Sequence, residues 1–124
     1  MKAKRPLTHL ETVRRLFDAL PGVEEGPSYG TPGFRVRKKF LARLWDDGET
    51  LVVKCGDIER DFRLQQDPET FYVTDHYRGY PTVLVHLARV NLGDLRAVLE
   101  QAWRLNAPKR LLAEYEARRQ KASA

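Results

Sequence analysis

Between residues 34 and 55 the sequence alternates apolar and polar side chains in three short runs that are separated by turn residues. Successive side chains of a strand point to opposite faces, so this alternation gives each run one apolar face. Asp46-Asp47-Gly48 is a strong hairpin signal, and Lys38-Lys39 is predicted to form the tight turn that precedes it. The segment therefore predicts a three-stranded antiparallel meander.

The period of two also assigns each side chain of the meander to a face. The apolar face is predicted to contain Phe34, Val36, Phe40, Ala42, Leu44, Leu51, Val53 and Cys55. Cys55 is therefore expected to be a small buried hydrophobic residue rather than a nucleophile.

The opposite face of the meander is cationic. Its basic residues, together with those at the hairpin tip, are Arg35, Arg37, Lys38, Lys39, Arg43 and Lys54. A basic sheet face with an aromatic residue, here Trp45, can follow a phosphate backbone. The alternative is a solvated sheet face on which Trp45 packs against the stems of arginine and lysine side chains.

Two further strands are predicted within residues 71–87, with a connector between them at Asp75–Pro81. Gly79 permits a positive φ, and Pro81 favours an extended backbone at the residue before it. The connector residues that can stack, hydrogen-bond or bind phosphate are His76, Tyr77, Arg78 and Tyr80. Alternatively, the two tyrosines pack the connector onto the core while Arg78 pairs with a local carboxylate.

Helical periodicity and capping residues predict four helices. Thr8 and Glu11 have capping-box spacing at the start of the first helix. Asp57 is predicted to cap a short second helix, and Asn91 is predicted to cap the third.

Pro108 suits the first turn of the last helix, which then begins with Lys109 and Arg110. Positive charge at this end opposes the helix dipole. Lys109 and Arg110 therefore require nearby carboxylates or a bound anion, and they are added to the candidate nucleic-acid-binding residues.

The residues that could perform chemistry are scattered. His9, His76 and His86 share no metal-ligand spacing with each other or with Cys55, so no metal or other cofactor is expected. Asp75 and His76 are expected to be strand neighbours that point to opposite faces, not an orienting pair. No acid/base pair or activated nucleophile is visible, and no enzymatic activity is expected.

Length and composition fit one domain over residues 1–124, with flexible basic tails at residues 1–7 and 117–124. The formal net charge of +5 is compatible with a polyanionic partner. One cysteine excludes an intrachain disulfide and fits a cytoplasmic protein. The basic start is not followed by an apolar run long enough for a signal peptide. No segment approaches the ~20 apolar residues of a membrane span.

Four segments carry the most specific sequence patterns of the chain: Leu20–Glu25, Tyr29–Phe34, Thr74–Pro81 and Ala102–Lys109. Together they resemble the MmcQ/YjbR family, and the resemblance runs from about Thr8 to Leu112. It implies an α+β fold, a two-layer α/β sandwich similar to frataxin (CyaY) and secretion-chaperone domains. Helices would pack on one face of an antiparallel sheet in the order α-β-β-β-β-α-β-β-α-α. Members are commonly described as DNA-binding, with a double-wing arrangement of hairpins.

The sequence and the resemblance together predict a monomeric, non-enzymatic, cytoplasmic protein that binds DNA and no membrane. The cationic sheet face and hairpin tips would contact phosphates, and the connector would add stacking or polar contacts. The alternative is an adaptor that binds a protein partner on the sheet face or the helices. An enzyme acting on small anions is the third possibility.

Overall fold

The computed structural model describes residues 7–123, in which it places six strands and four helices. The strands are β1 (Val23–Ser28), β2 (Thr31–Val36), β3 (Lys39–Leu44), β4 (Thr50–Lys54), β5 (Phe71–Tyr72) and β6 (Thr82–His86). The helices are α1 (His9–Asp18), α2 (Asp57–Gln66), α3 (Leu92–Asn106) and α4 (Lys109–Ser123), and a single 3₁₀ turn spans Asp75–Tyr77. This order confirms the predicted one. The predicted basic segment at residues 1–6 lies outside the described residues.

The strands form one sheet in the order β1-β2-β3-β4-β6-β5, and every neighbouring pair is antiparallel. Pro27 lies in β1, at an edge of the sheet, where a missing N–H removes no bond from a central ladder. The helices pack against one face of the sheet, which confirms the predicted two-layer α+β architecture. None of the helices in residues 7–123 has the length and apolar character needed to cross a membrane.

Helix α1 is joined to the sheet through its buried aromatic residue. The Thr8 hydroxyl accepts from the Glu11 N–H at 3.1 Å, and the Glu11 carboxylate accepts from the Thr8 N–H at 2.9 Å. This confirms the predicted capping box, which orients the helix at its first turn. One side of the helix then buries Val13 and Phe17, and the Phe17 ring stacks on Phe34 of β2 at 4.7 Å.

Trp103 is the central side chain of the helical layer. It is fully buried, its Nε1–H donates to the Pro21 carbonyl at 2.9 Å, and its ring contacts Tyr115 edge-to-face at 5.1 Å. It therefore ties α3 to both α4 and the turn that follows α1. Trp45, in contrast, is half-buried.

The prediction that Phe40 of β3 lies on the apolar face of the sheet is wrong. Arg35 pairs with Phe40 but Phe34 pairs with Ala42, so Leu41 is an extra residue in the strand. Such a bulge breaks the period of two. Leu41 consequently enters the core with no exposed surface, and Phe40 lies on the opposite face beside Arg35.

The hairpin between β2 and β3 turns one residue earlier than predicted. Its central residues are Arg37 and Lys38, with φ of +49° and +69°, and Lys39 is the first residue of β3. Positive φ at both central residues is characteristic of a type I′ turn, whose twist matches that of the flanking strands.

Two helix ends differ in detail from the sequence patterns. Gly56 occupies the N-cap of α2 without a side-chain hydrogen bond, so the prediction that Asp57 caps this helix is wrong. The Asn91 side chain accepts from the Asp94 N–H at 2.7 Å, which confirms the predicted cap of α3. Helix α4 continues through residues 117–123, which the sequence places in a flexible tail.

Candidate nucleic-acid interface

The face of the sheet opposite the helices is called the open face here, and strand register determines which side chains it presents. Arg43 of β3 lies opposite Val52 of β4, which in turn lies opposite Leu84 of β6. Arg35 and Lys54 border the same surface. The structure therefore brings together three of the six basic residues that the sequence assigns to this face and its hairpin tip.

The connector (Asp75–Pro81) crosses the open face. The Tyr77 hydroxyl accepts a hydrogen bond from Arg43 Nη1 at 3.3 Å, and the Tyr77 ring lies 6.2 Å from the ring of Trp45. Val52, on the same face, is only 1% exposed, and no residue of the described α-helices lines the pocket beside it. The connector thus takes the place of a helix over part of this face.

The connector is a compact turn rather than a continuation of a strand. Asp75 and His76 lie in the 3₁₀ turn, so the expectation that they are strand neighbours is wrong. Arg78 donates to the Asp75 carboxylate at 2.9 Å, which is the local pairing foreseen for it. Both side chains are largely exposed, so this ion pair contributes little stability. Tyr80 is 58% exposed, and its ring lies 6.3 Å from that of Tyr77.

A pocket of about 350 Å³ opens between the connector and the turn that joins β1 to β2. We call it the open-face pocket. Its aromatic side chains are Tyr29, Phe40, Tyr77 and Tyr80. Its cationic side chains are Arg35, Arg43 and Lys54. Ser28, Val52, Pro81 and Thr82 complete the lining.

Tyr29 belongs to this pocket through an unusual turn. Tyr29 and Gly30 are the central residues of the β1–β2 turn, with φ of +52° and +81°. The Tyr29 side chain is 92% exposed, and its ring lies 5.5 Å from Arg43 Cζ. Tyr29 is not among the site residues that the sequence predicts. An aromatic residue beside the glycine of a hairpin turn is the signal that could have identified it.

Arg43 connects the two walls of the pocket. Its guanidinium contacts the Tyr29 ring on one side and donates to Tyr77 on the other. Arg43 Nε is buried and has no hydrogen-bond partner among the described residues. Thr82 Oγ1 is also buried and without a partner there, on a residue that is 8% exposed. An unpaired buried polar group costs about 1–3 kcal/mol.

The remaining predicted cations lie elsewhere. Lys38 and Lys39 are exposed at the hairpin tip. The Arg37 side chain reaches Gly22 in the turn after α1, where Arg37 Nη1 lies 3.9 Å from the position that a Cβ on Gly22 would take. Lys109 and Arg110 are exposed at the start of α4, in the helical layer. They make no ion pair within the described part of the chain.

Glu24 limits the cationic surface at its β1 edge, whereas Glu25 faces the helical layer. Glu24 lies opposite Arg35 in the β1–β2 ladder, and Glu25 binds Arg14 of α1 at 2.7 Å. The hydrogen bond from Arg14 holds the pKa of Glu25 below its usual value. Glu24 therefore places a negative charge beside Arg35 at the β1 edge of the open face.

Cys55 has no role in this surface. Burial raises the pKa of its thiol to about 11, which suits the predicted inert core position. Within residues 7–123 no three His, Cys, Asp or Glu side chains are placed to hold a metal ion together.

Comparison with protein families shows which family the chain belongs to. A family model described as YjbR matches residues 18–105. The chain belongs to the YjbR family. The uncharacterized protein Mb2600 of Mycobacterium bovis and the uncharacterized protein Rv2570 of Mycobacterium tuberculosis are each 37% identical to it over 69 residues. That match covers 55% of this chain and 54% of each relative, so the chain spans little more than half their length. No solved structure matches it.

The YjbR match contains the whole lining of the open-face pocket, from Ser28 to Thr82. Lys109 and Arg110 lie beyond its last matched residue. Within this member of the family, the pocket is therefore part of the matched fold, whereas the basic start of α4 is not.

Proposed function

We propose that this YjbR-family protein is a small, non-enzymatic, cytoplasmic protein that binds DNA through its open face. The observation that supports this proposal is the convergence of Arg35, Arg43 and Lys54 around an aromatic pocket whose lining includes no residue of the described α-helices. Guanidinium and ammonium groups bind phosphate, and aromatic rings stack on bases.

In this proposal the hairpin tip supplies further phosphate contacts. Arg37, Lys38 and Lys39 are all exposed there, and the formal net charge of +5 favours approach of a polyanion. On the connector, the exposed His76 and Tyr80 add two rings next to the pocket. Phosphate contacts at the tip and ring contacts at the connector would then act on the same bound strand.

The strength of binding follows from the number of phosphates neutralised. If the six cations of the open face and tip neutralise roughly four phosphates of a duplex, log affinity falls with log salt at a slope of about −3.6. Such binding is modest near physiological salt, with a Kd of roughly 10⁻⁴ to 10⁻⁶ M.

Fluorescence anisotropy with a labelled DNA duplex, titrated at several salt concentrations, tests the proposal. Replacing Lys38 and Lys39 together with Gln should flatten the slope by up to about two units and weaken binding to all sequences alike. The double change of Lys109 and Arg110 to Gln is the matched control. It removes the same charge from the helical layer, and it should leave the slope near the wild-type value.

Absence of binding at ~50 mM salt would reject DNA as the partner. Equal effects of the two double variants would show that net charge, and not the open face, determines the affinity.

An adaptor function is the second candidate, supported by exposed apolar residues on α2. Ile58 is 88% exposed and Phe62 is 52% exposed, one turn apart on the same helix. Exposed apolar side chains grouped in this way favour a protein contact. Loss of a protein partner on changing Ile58 and Phe62 to Ser, without any DNA binding by the wild type, would support this second candidate.

A further inference from the structure

We propose that the open-face pocket receives one unstacked nucleotide of a DNA strand, so that the protein prefers single-stranded to duplex DNA. This inference rests on the proposed function, because the nucleotide belongs to the bound strand. It adds the form of DNA that is recognised and the place where one base is held.

The size of the pocket limits the ligand to one small unit. Its volume of about 350 Å³ is near the lower end of the range of about 300–1,000 Å³ that small-molecule sites occupy. A continuous strand does not fit into such a space, whereas one base with its attached phosphate is of suitable size.

The lining combines the two chemistries of a nucleotide. Tyr77 and Tyr80 line the pocket from the connector, and Tyr29 lines it from the β1–β2 turn. Flat aromatic ligands stack on such rings, whatever the identity of the base. Arg35 and Lys54 supply positive charge at the same pocket, which selects a ligand that is both flat and anionic.

The unpaired donors of the pocket provide an independent observation. Arg43 Nε and Thr82 Oγ1 are buried in the lining and have no hydrogen-bond partner among the described residues. Buried polar groups are normally satisfied by protein, water or ligand. A phosphate oxygen or a base carbonyl supplies the acceptor that both groups need.

The position of the pocket explains the preference for single strands. The rings that line it can stack only on a base that has left its neighbours, and a paired duplex keeps its bases stacked inside. Duplex DNA can therefore use only the phosphate contacts of the open face and hairpin tip. A single strand can use these contacts and the pocket together.

The test compares a 15-nucleotide oligothymidylate with a duplex of the same length by anisotropy at one salt concentration. Wild type should bind the single strand at least about tenfold more tightly. Tyr80→Ala should weaken single-strand binding by roughly 5- to 150-fold, the usual cost of losing one stacked base, and should leave duplex binding unchanged. Tyr80 is 58% exposed, so its removal leaves the core intact.

A second variant probes the unpaired hydroxyl. Thr82→Val keeps the shape of the side chain and removes Oγ1, so it should weaken single-strand binding without changing duplex binding. Leu105→Ala is the control, because it removes a half-exposed apolar side chain on α3 that lies outside the pocket. It should change neither affinity.

Binding of thymidine monophosphate alone, measured by calorimetry, separates this inference from the proposed function. Nucleotide binding that Tyr80→Ala weakens, with no binding of either DNA, would support the pocket and reject DNA as the partner. DNA binding with equal affinity for both forms, unchanged in Tyr80→Ala and Thr82→Val, would overturn the pocket and retain the proposed function.

Discussion

The turn between β2 and β3 carries two residues in a conformation that costs energy for any residue with a Cβ. Lys38 has a φ of +69°, is exposed, and makes no hydrogen bond or ion pair with the rest of the described chain. Replacing it with glycine removes the steric cost and no contact. Lys38→Gly is therefore predicted to stabilise the protein.

The size of this effect follows from two opposing terms. The left-handed conformation costs an L-residue about 1–2 kcal/mol, which glycine does not pay. Glycine also gives the unfolded chain more conformational freedom, which returns roughly 0.4–1 kcal/mol. The net increase in the free energy of unfolding is about 0.5–1 kcal/mol, or roughly 2–4 °C in Tm for a chain of this size.

The neighbouring lysine offers a matched control. Lys39 carries the same charge but begins β3, pairs with Val36, and has no positive φ. Lys39→Gly should therefore destabilise the protein by about 0.5–1 kcal/mol, because glycine weakens a strand. Lys38→Ala removes the charge but keeps the Cβ, and it should change stability by less than about 0.5 kcal/mol.

Urea unfolding followed by tryptophan fluorescence measures all three variants, provided that the slope against urea stays constant. The reasoning is refuted if Lys38→Gly is no more stable than wild type, or if both glycine variants shift the midpoint in the same direction. A gain in Lys38→Ala equal to that of Lys38→Gly would show that charge, not backbone strain, is responsible.

Two further predictions concern buried and partly buried groups. With a pKa of about 11, the Cys55 thiol is ionised in only about one molecule in a thousand at pH 8, whereas about a quarter of the thiols are ionised in the unfolded chain. A thiol reagent should therefore label the native protein at least ~200-fold more slowly than the unfolded protein. Comparable labelling rates would contradict the core position of Cys55. Burial disfavours ionisation of Glu100, but hydrogen bonds from Tyr115 and Arg104 hold its pKa below the ordinary 4.5. The ionised Glu100 therefore stabilises the fold above pH 4.5, and this stabilisation is lost as pH falls through the folded-state pKa. Glu100→Gln should then be less stable than wild type at pH 7 in urea unfolding, with the difference shrinking as pH is lowered below 4.5; a difference independent of pH would refute this.

Local patterns are what the sequence by itself determined. The capping box at Thr8 and the cap at Asn91 depend on groups three residues apart, so their spacing is visible without a fold. Alternation and turn residues likewise revealed the strands of the meander and the two strands within residues 71–87, because a hydrophobic face must be buried wherever the strand lies. The full order of the elements came from the family resemblance.

Only the tertiary structure decided which side chains of β3 enter the core. The extra residue Leu41 reverses the alternation that places Phe40 in the core, and nothing in the local pattern marks it. Whether Leu41 or Phe40 is buried depends on how β3 pairs with β2 and packs beneath α3. Pairing between strands is not encoded in the period of one strand.

The candidate site was also decided by packing. Tyr29 and Tyr77 are far apart in the sequence, and both contact Arg43 because a turn and the connector meet over the open face. Lys109 resembles Lys54 as a sequence feature, yet the two residues lie on opposite layers of the fold. Charge and residue type are properties of the sequence. Which charges share a surface depends on how helices and sheet bury their apolar sides, and this is settled only when the whole core is assembled.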